Sequence, residues 1–173
     1  MRESALIVSK TLGMIASEIK EGVTTLYLDK LAEAFIRDHG ATPSFLGLYG
    51  FPNTLCMSPN TQVVHGIPNN TPLQNGDIIS VDCGAFKNGF HGDHAYTFEI
   101  GEVAPETKKL LQITKESLYV GIREFKAGKI SPDSFHGKQQ KILLHGHCHQ
   151  KSIAGLSSTR IALTIPSQYD VEL

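Results

Sequence analysis

Apolar residues recur at steps of three and four along the first part of the chain, at Ala5, Val8, Leu12, Ile15 and Ile19. This spacing stacks them on one face of a helix, with Gly22 as its stop. A second helix is predicted from Thr24 or Thr25, either of which can cap it, with Leu28, Leu31, Ala32 and Phe35 facing inward and Gly40 at its end. Residues 41–62 carry Pro43, Gly47, Gly50, Pro52, Asn53, Pro59 and Asn60, which predicts short strands joined by turns. A third helix follows Pro105, with Leu111, Leu118, Ile122 and Phe125 inward, and its pattern ends near Gly128.

The sharpest local signal lies between the second and third helices. The run Ile78-Ile79-Ser80-Val81-Asp82-Cys83-Gly84-Ala85 is followed by Asn88-Gly89 and a second alternating run through Ile100. Asn-Gly between alternating segments predicts a hairpin with a two-residue loop. Lys87 then pairs with Phe90, and Gly84 faces Asp93. Strand side chains alternate, so Asp82, Gly84 and Asp93 share a face, and the two aspartates are diagonal neighbours roughly 7–8 Å apart at the backbone. The opposite face carries Ile79, Val81, Cys83, Ala85, Tyr96, Phe98 and Ile100 and is predicted to be the core face. Gly84 leaves a space between the carboxylates that a metal ion could fill.

Pattern alone leaves two readings of the Asp82 face, a metal site or a solvated hairpin face that also bears Ser80, Thr97 and Glu99. Two half-buried carboxylates side by side raise one another's pKa unless a cation lies between them. Oxygen donors favour manganese, iron, cobalt or magnesium over a thiolate-seeking ion. His65 lies in the turn-rich run Val63-Val64-His65-Gly66-Ile67-Pro68, where a lone histidine is more often structural than catalytic.

Composition narrows the class. With 173 residues, 40% hydrophobic, 19% charged and a net charge of -1, the chain suits one ordinary globular domain and has no basic surplus for nucleic acid. Cys56, Cys83 and Cys148 are an odd number at wide spacing, which argues against a disulfide scaffold and for a reducing compartment. No apolar run approaches the ~20 residues of a membrane helix, and the opening is not a signal peptide, so a cytoplasmic location without a membrane partner is expected.

Val64-His65-Gly66-Ile67-Pro68, then Gly76-Asp77-Ile78-Ile79-Ser80-Val81-Asp82, then Gly89-Phe90-His91-Gly92-Asp93, with Gly50-Phe51-Pro52 and Cys56 upstream, resemble consecutive motifs of the type I methionine aminopeptidases. The resemblance covers about residues 1–128. It implies an α/β (α+β) chain carrying the N-terminal half of a pita-bread fold, an antiparallel sheet flanked by helices. It implies a metalloaminopeptidase that removes the N-terminal methionine of nascent polypeptides near the ribosome, without direct contact to nucleic acid. The implied cofactors are two divalent metal ions, cobalt, manganese, iron or zinc. By the same resemblance Asp82 binds one metal, Asp93 bridges both, His65 contacts the substrate and steadies the transition state, and Phe51 and Cys56 line the methionine pocket. Prolidase-like relatives share the fold but usually carry a large preceding domain, so the type I reading leads.

The resemblance then departs. The family adds a histidine in a Gly-His-Gly segment and two later glutamates, whereas after Glu124 the only glutamate here is Glu172. Residues 129–173 hold His136, His145, His147 and His149 but only Asp133, Asp170 and Glu172 as acids. This segment is expected to be a divergent, irregular tail, with a strand at 161–165. A shift of reading frame near Gly128 is one hypothesis that would account for both the change in composition and the missing ligands. The run His145-Gly146-His147-Cys148-His149 has no second ligand pair at finger-like spacing and is read as incidental. Impaired catalysis is therefore expected, and the alternative is a non-catalytic pita-bread fragment that serves as a binding or interaction module.

Overall fold

Helix α1 (Arg2–Glu18) and helix α2 (Thr25–Asp38) precede strands β1 (Thr42–Pro43), β2 (Leu55–Pro59), β3 (Ile78–Lys87) and β4 (Phe90–Glu99), and helix α3 (Pro105–Lys126) follows. This computed structural model describes residues 1–126, 140–143 and 169–172. The chain forms two units, Met1–Gln112 and Ile113–Leu173. In the second, β5 (Gln140–Leu143) and β6 (Tyr169–Glu172) pair in parallel, Gln140 opposite Tyr169. The expected boundary at 128–129, the strand at 161–165 and the His145–His149 run lie outside the described residues.

The first helix buries Ser4, Ile7, Val8, Thr11, Leu12 and Ile15. Ala5, expected inward, is exposed, and Ile7 takes its place on the face. Ile19 caps the helix end and still packs on the core. Thr24 is the cap of α2, its side-chain oxygen accepting from the Tyr27 N–H at 3.2 Å. That bond satisfies one of the donors a helix start leaves open. Leu28, Ala32 and Ile36 are fully buried, while Leu31 and Phe35 are only half-buried.

Strand β3 is the spine of the sheet. It pairs antiparallel with β4 along its whole length on one edge, and with β1 and β2 in turn on the other. Every hairpin pair agrees with the register expected from the two-residue loop, from Lys87 opposite Phe90 to Ile78 opposite Glu99. Asn88 and Gly89 both have positive φ, 50° and 81°. A two-residue hairpin turn of the mirror-image type requires this, and Asn-Gly reaches it at low cost.

Ile79, Val81, Cys83 and Ala85 are buried under α1, as expected. Ser4 at the start of α1 donates to the Phe90 carbonyl at 2.9 Å, and the backbone of Ser4 and Ala5 lies directly against Gly92. Tyr96, expected in the core, is 42% exposed, and Phe98 is half-buried. The reason is that β4 is an outer strand, and among the described residues no strand covers its far edge.

The third helix departs from expectation in its inward face. Leu118 is 55% and Ile122 38% exposed, Leu111 is half-buried, and the Phe125 side chain lies outside the described residues. Leu110, Ile113 and Val120 are exposed as well. An apolar stripe predicts that a face wants cover but does not name the cover.

Candidate metal centre

Pairing places Asp93 opposite Gly84 and Asp82 opposite Ala95, so the two carboxylates are diagonal neighbours on one face, as the turn predicts. Asp82 is half-buried and Asp93 exposed. One Asp82 oxygen, Oδ1, is buried without a hydrogen-bond partner. Burial above all, then the Asp93 charge and the hydrogen bond between the two carboxyls, pushes Asp82 from 3.8 up to about 7, against a smaller opposing pull from the Cys83 N–H. A proton shared between the acids is what a site of two crowded carboxylates does without a cation.

Cys56 stands directly opposite Asp82 across β2 and β3. Burial first, then the charges of Asp82, Asp93 and Asp29, pushes its thiol from 9.0 up to about 12. It is a neutral thiol at physiological pH, a compact apolar wall beside the acids and not a nucleophile. Cys83 points to the other face and is fully buried.

The space at Gly84 is not vacant, which corrects the expectation of a metal-sized gap there. A Cβ on Gly84 would stand 2.7 Å from Phe45 Cε1 and 2.8 Å from Ser44 Cβ, so the Phe45 ring already fills the position. Phe45 is itself 5% exposed. Ser44 and Phe45 lie in the run expected to form turns and short strands. The available signal was Gly84 itself, because glycine inside a strand often marks the close approach of another segment.

His65 lies beside β2. Its φ is 57°, and the next residue is locked in place: the Gly66 N–H donates to Ser58 Oγ at 3.0 Å, and the Met57 N–H donates to the Gly66 carbonyl at 2.8 Å. Downstream, the Asn69 N–H donates to Thr25 Oγ1 at 2.8 Å and ties the segment to the start of α2. Any Cβ on Gly66 would run into the Met57 carbonyl. The half-buried Phe51 closes the tight turn ahead of β2, its N–H donating to the Leu48 carbonyl at 2.9 Å.

Asp29 is a structural residue that no local pattern marks. It is 4% exposed on the apolar face of α2 and accepts from Asn53 Nδ2 and from the N–H groups of Thr54 and Leu55 at 2.8–2.9 Å. Those bonds fix the entry to β2 and so the position of Cys56. Burial raises its carboxyl, and the three donors pull it back.

The donors present fit a hard divalent cation: two adjacent carboxylates, one with a buried oxygen that nothing else satisfies. Among the described residues no group of three or more His, Cys, Asp or Glu side chains gathers to hold a metal. The chain matches metallopeptidase family M24 over residues 1–157. It belongs to that family.

The M24 match reaches beyond the motifs that carry the resemblance. The chain is 43% identical to a methionine aminopeptidase of Clostridium perfringens over 155 residues, 90% of this chain and 62% of that protein. It is 46% identical to methionine aminopeptidase 1 of Bacillus subtilis over 139 residues, 80% of this chain and 56% of that one. The crystal structure of the Rickettsia prowazekii methionine aminopeptidase superposes with a TM-score of 0.67 at 38% identity, covering 68% of this chain and 48% of that one. The chain therefore spans less than two-thirds of the length of these relatives. Its M24 membership and mixed helix-and-strand half of the pita-bread fold agree with the sequence reading, and a metallopeptidase family implies the use of divalent metal. No helix among the described residues is long and apolar enough to cross a membrane.

Proposed function

We propose that this chain bears the first-half contribution to a methionyl aminopeptidase site, which in complete form removes the N-terminal methionine of nascent polypeptides in the cytoplasm, near the ribosome. The observation that carries the reading is the Asp82–Asp93 pair with its unsatisfied buried oxygen, in a chain whose relatives are named methionine aminopeptidases.

Asp82 and Asp93 would hold the metal, with cobalt, manganese, iron and zinc as candidate ions and two as the expected number. A divalent cation bound there would supply Lewis acidity, lowering the pKa of water and polarising a carbonyl. The chain's own residues do the rest. His65, whose neighbour Gly66 is tied to β2, would donate a hydrogen bond to an oxygen that gains charge in the transition state. The protonated Cys56 and the Phe51 ring suit an unbranched thioether, which packs well against soft, apolar walls. Phe45 over Gly84 keeps water off the backbone beside the acids.

A second reading, a non-catalytic fragment that binds a partner, is favoured by one observation: the described residues gather only two carboxylates and no third ligand. The experiment that separates them uses the purified chain with manganese or cobalt and a short peptide beginning with methionine. Release of methionine that is lost in Asp82→Asn and Asp93→Asn supports the aminopeptidase, with slow turnover expected from the present donor set. Metal that binds wild type and both variants equally would remove the basis of the reading.

A further inference from the structure

His91 belongs to the Gly89–Asp93 motif, yet neither the metal pair nor the pocket gives it a task. It lies on the same face as Asp93, two positions along β4, and opposite Phe86. Its ring is fixed twice, against the Phe86 ring with centroids 4.6 Å apart and through Nδ1 to Ser44 Oγ at 2.9 Å. Ser44 directly follows β1, which pairs with the edge of β3 away from β4. The Ser44–His91 bond therefore crosses over β3 from one edge strand to the other. It can do so because Gly84 lies beneath, where a Cβ would stand 2.8 Å from the Ser44 Cβ. The Ser44 N–H also donates to the Gly84 carbonyl at 3.0 Å, so Ser44 is pinned to the strand on one side and to His91 on the other.

The residues immediately after Ser44 bear on the site. Phe45 fills the Gly84 position, and the turn beyond it holds three backbone torsions in the left-handed region, Gly47, Tyr49 and Gly50. A bulky residue such as Tyr49 at a φ of 50° persists only where its surroundings over-determine it. That turn delivers Phe51. We propose that Ser44 and His91 form a clasp across Gly84, and that His91 is a positioning residue that holds the Phe45–Phe51 segment against the Asp82–Asp93 face. The clasp is a property of the fold, while its effect on peptide binding rests on the aminopeptidase reading above.

Hydrogen exchange on the full chain at one fixed pH tests the clasp without requiring turnover. The amides of Gly47, Leu48, Gly50 and Phe51 are all hydrogen-bonded within the turn and serve as reporters. Ser44→Ala and His91→Ala should each speed their exchange roughly five-fold, the scale of one hydrogen bond. The double variant should be no faster than either single one, because both remove the same bond. His91→Asn, which keeps a polar atom near the Nδ1 position, and Ser44→Thr should restore parental rates. In a complete, active site the Ala variants should raise KM for a methionyl peptide and leave kcat near the parent value. Unchanged reporter rates, additive effects, or equal acceleration at the central-strand amides would overturn the clasp. Failure of the aminopeptidase reading shows instead as no turnover in any variant, with the exchange pattern intact.

Discussion

Replacing Asp82 by Asn isolates the electrostatic cost of the acid pair. In the metal-free chain the Asp82 carboxyl is held at about 7, against 3.8 for an ordinary carboxylate. The unfolded chain therefore releases this proton near pH 4 and the folded chain only near pH 7. Between those values the folded state binds more protons, so stability falls as pH rises through the window and levels off above it. In full the shift corresponds to about 4 kcal/mol, and screening at a half-buried group leaves about 2 kcal/mol. Asn carries no charge and can donate from Nδ2 to Asp93 in place of the shared proton. The assay is urea unfolding across this pH range with metal chelated. Wild type should lose about 2 kcal/mol more than Asp82→Asn between acid and neutral pH. Asp29 is also raised by burial, but it is present in both chains and drops out of the difference. Manganese added at the top of the window should restore wild type and leave the variant unchanged. Parallel pH profiles for the two proteins would refute the reasoning, because they would mean that Asp82 titrates as an exposed acid.

Gly84→Ala puts a methyl group 2.7 Å from the Phe45 ring and should cost about 1–3 kcal/mol in thermal or urea unfolding, with partial recovery in the double variant that also carries Phe45→Leu. Gly66→Ala drives a methyl group into the Met57 carbonyl, which is backbone and cannot swing aside; the Met57–Gly66 hydrogen bond should break, with amide exchange at Met57 accelerating and methionine release falling with it. Asp29→Ala strands the N–H groups of Thr54 and Leu55 in the core and should destabilise by about 2–4 kcal/mol at neutral pH, read as a lowered midpoint in urea.

Much of the site was legible because it is local. Asn88-Gly89 admits one tight turn, the turn sets the pairing of the strands that leave it, and alternation then puts Asp82 and Asp93 on one face. Thr24 was legible for the same reason, since a cap acts on its own first turn. The partners that come from far along the chain were not. Gly84 signals that some segment comes close, but not that Phe45 is the one that fills its space or that Ser44 reaches across it to His91, because both depend on where β1 docks. Cys56 meets Asp82 only through the β2–β3 register, which Asp29 helps to set from a different helix. The same distinction explains Tyr96 and Leu118: periodicity tells which residues share a face, but burial requires another element to arrive on that face. The sequence by itself thus determined a pair of carboxylates side by side and the family motifs around them. Only the tertiary structure decided what surrounds the pair, because contacts between distant segments are written in shape and not in local pattern.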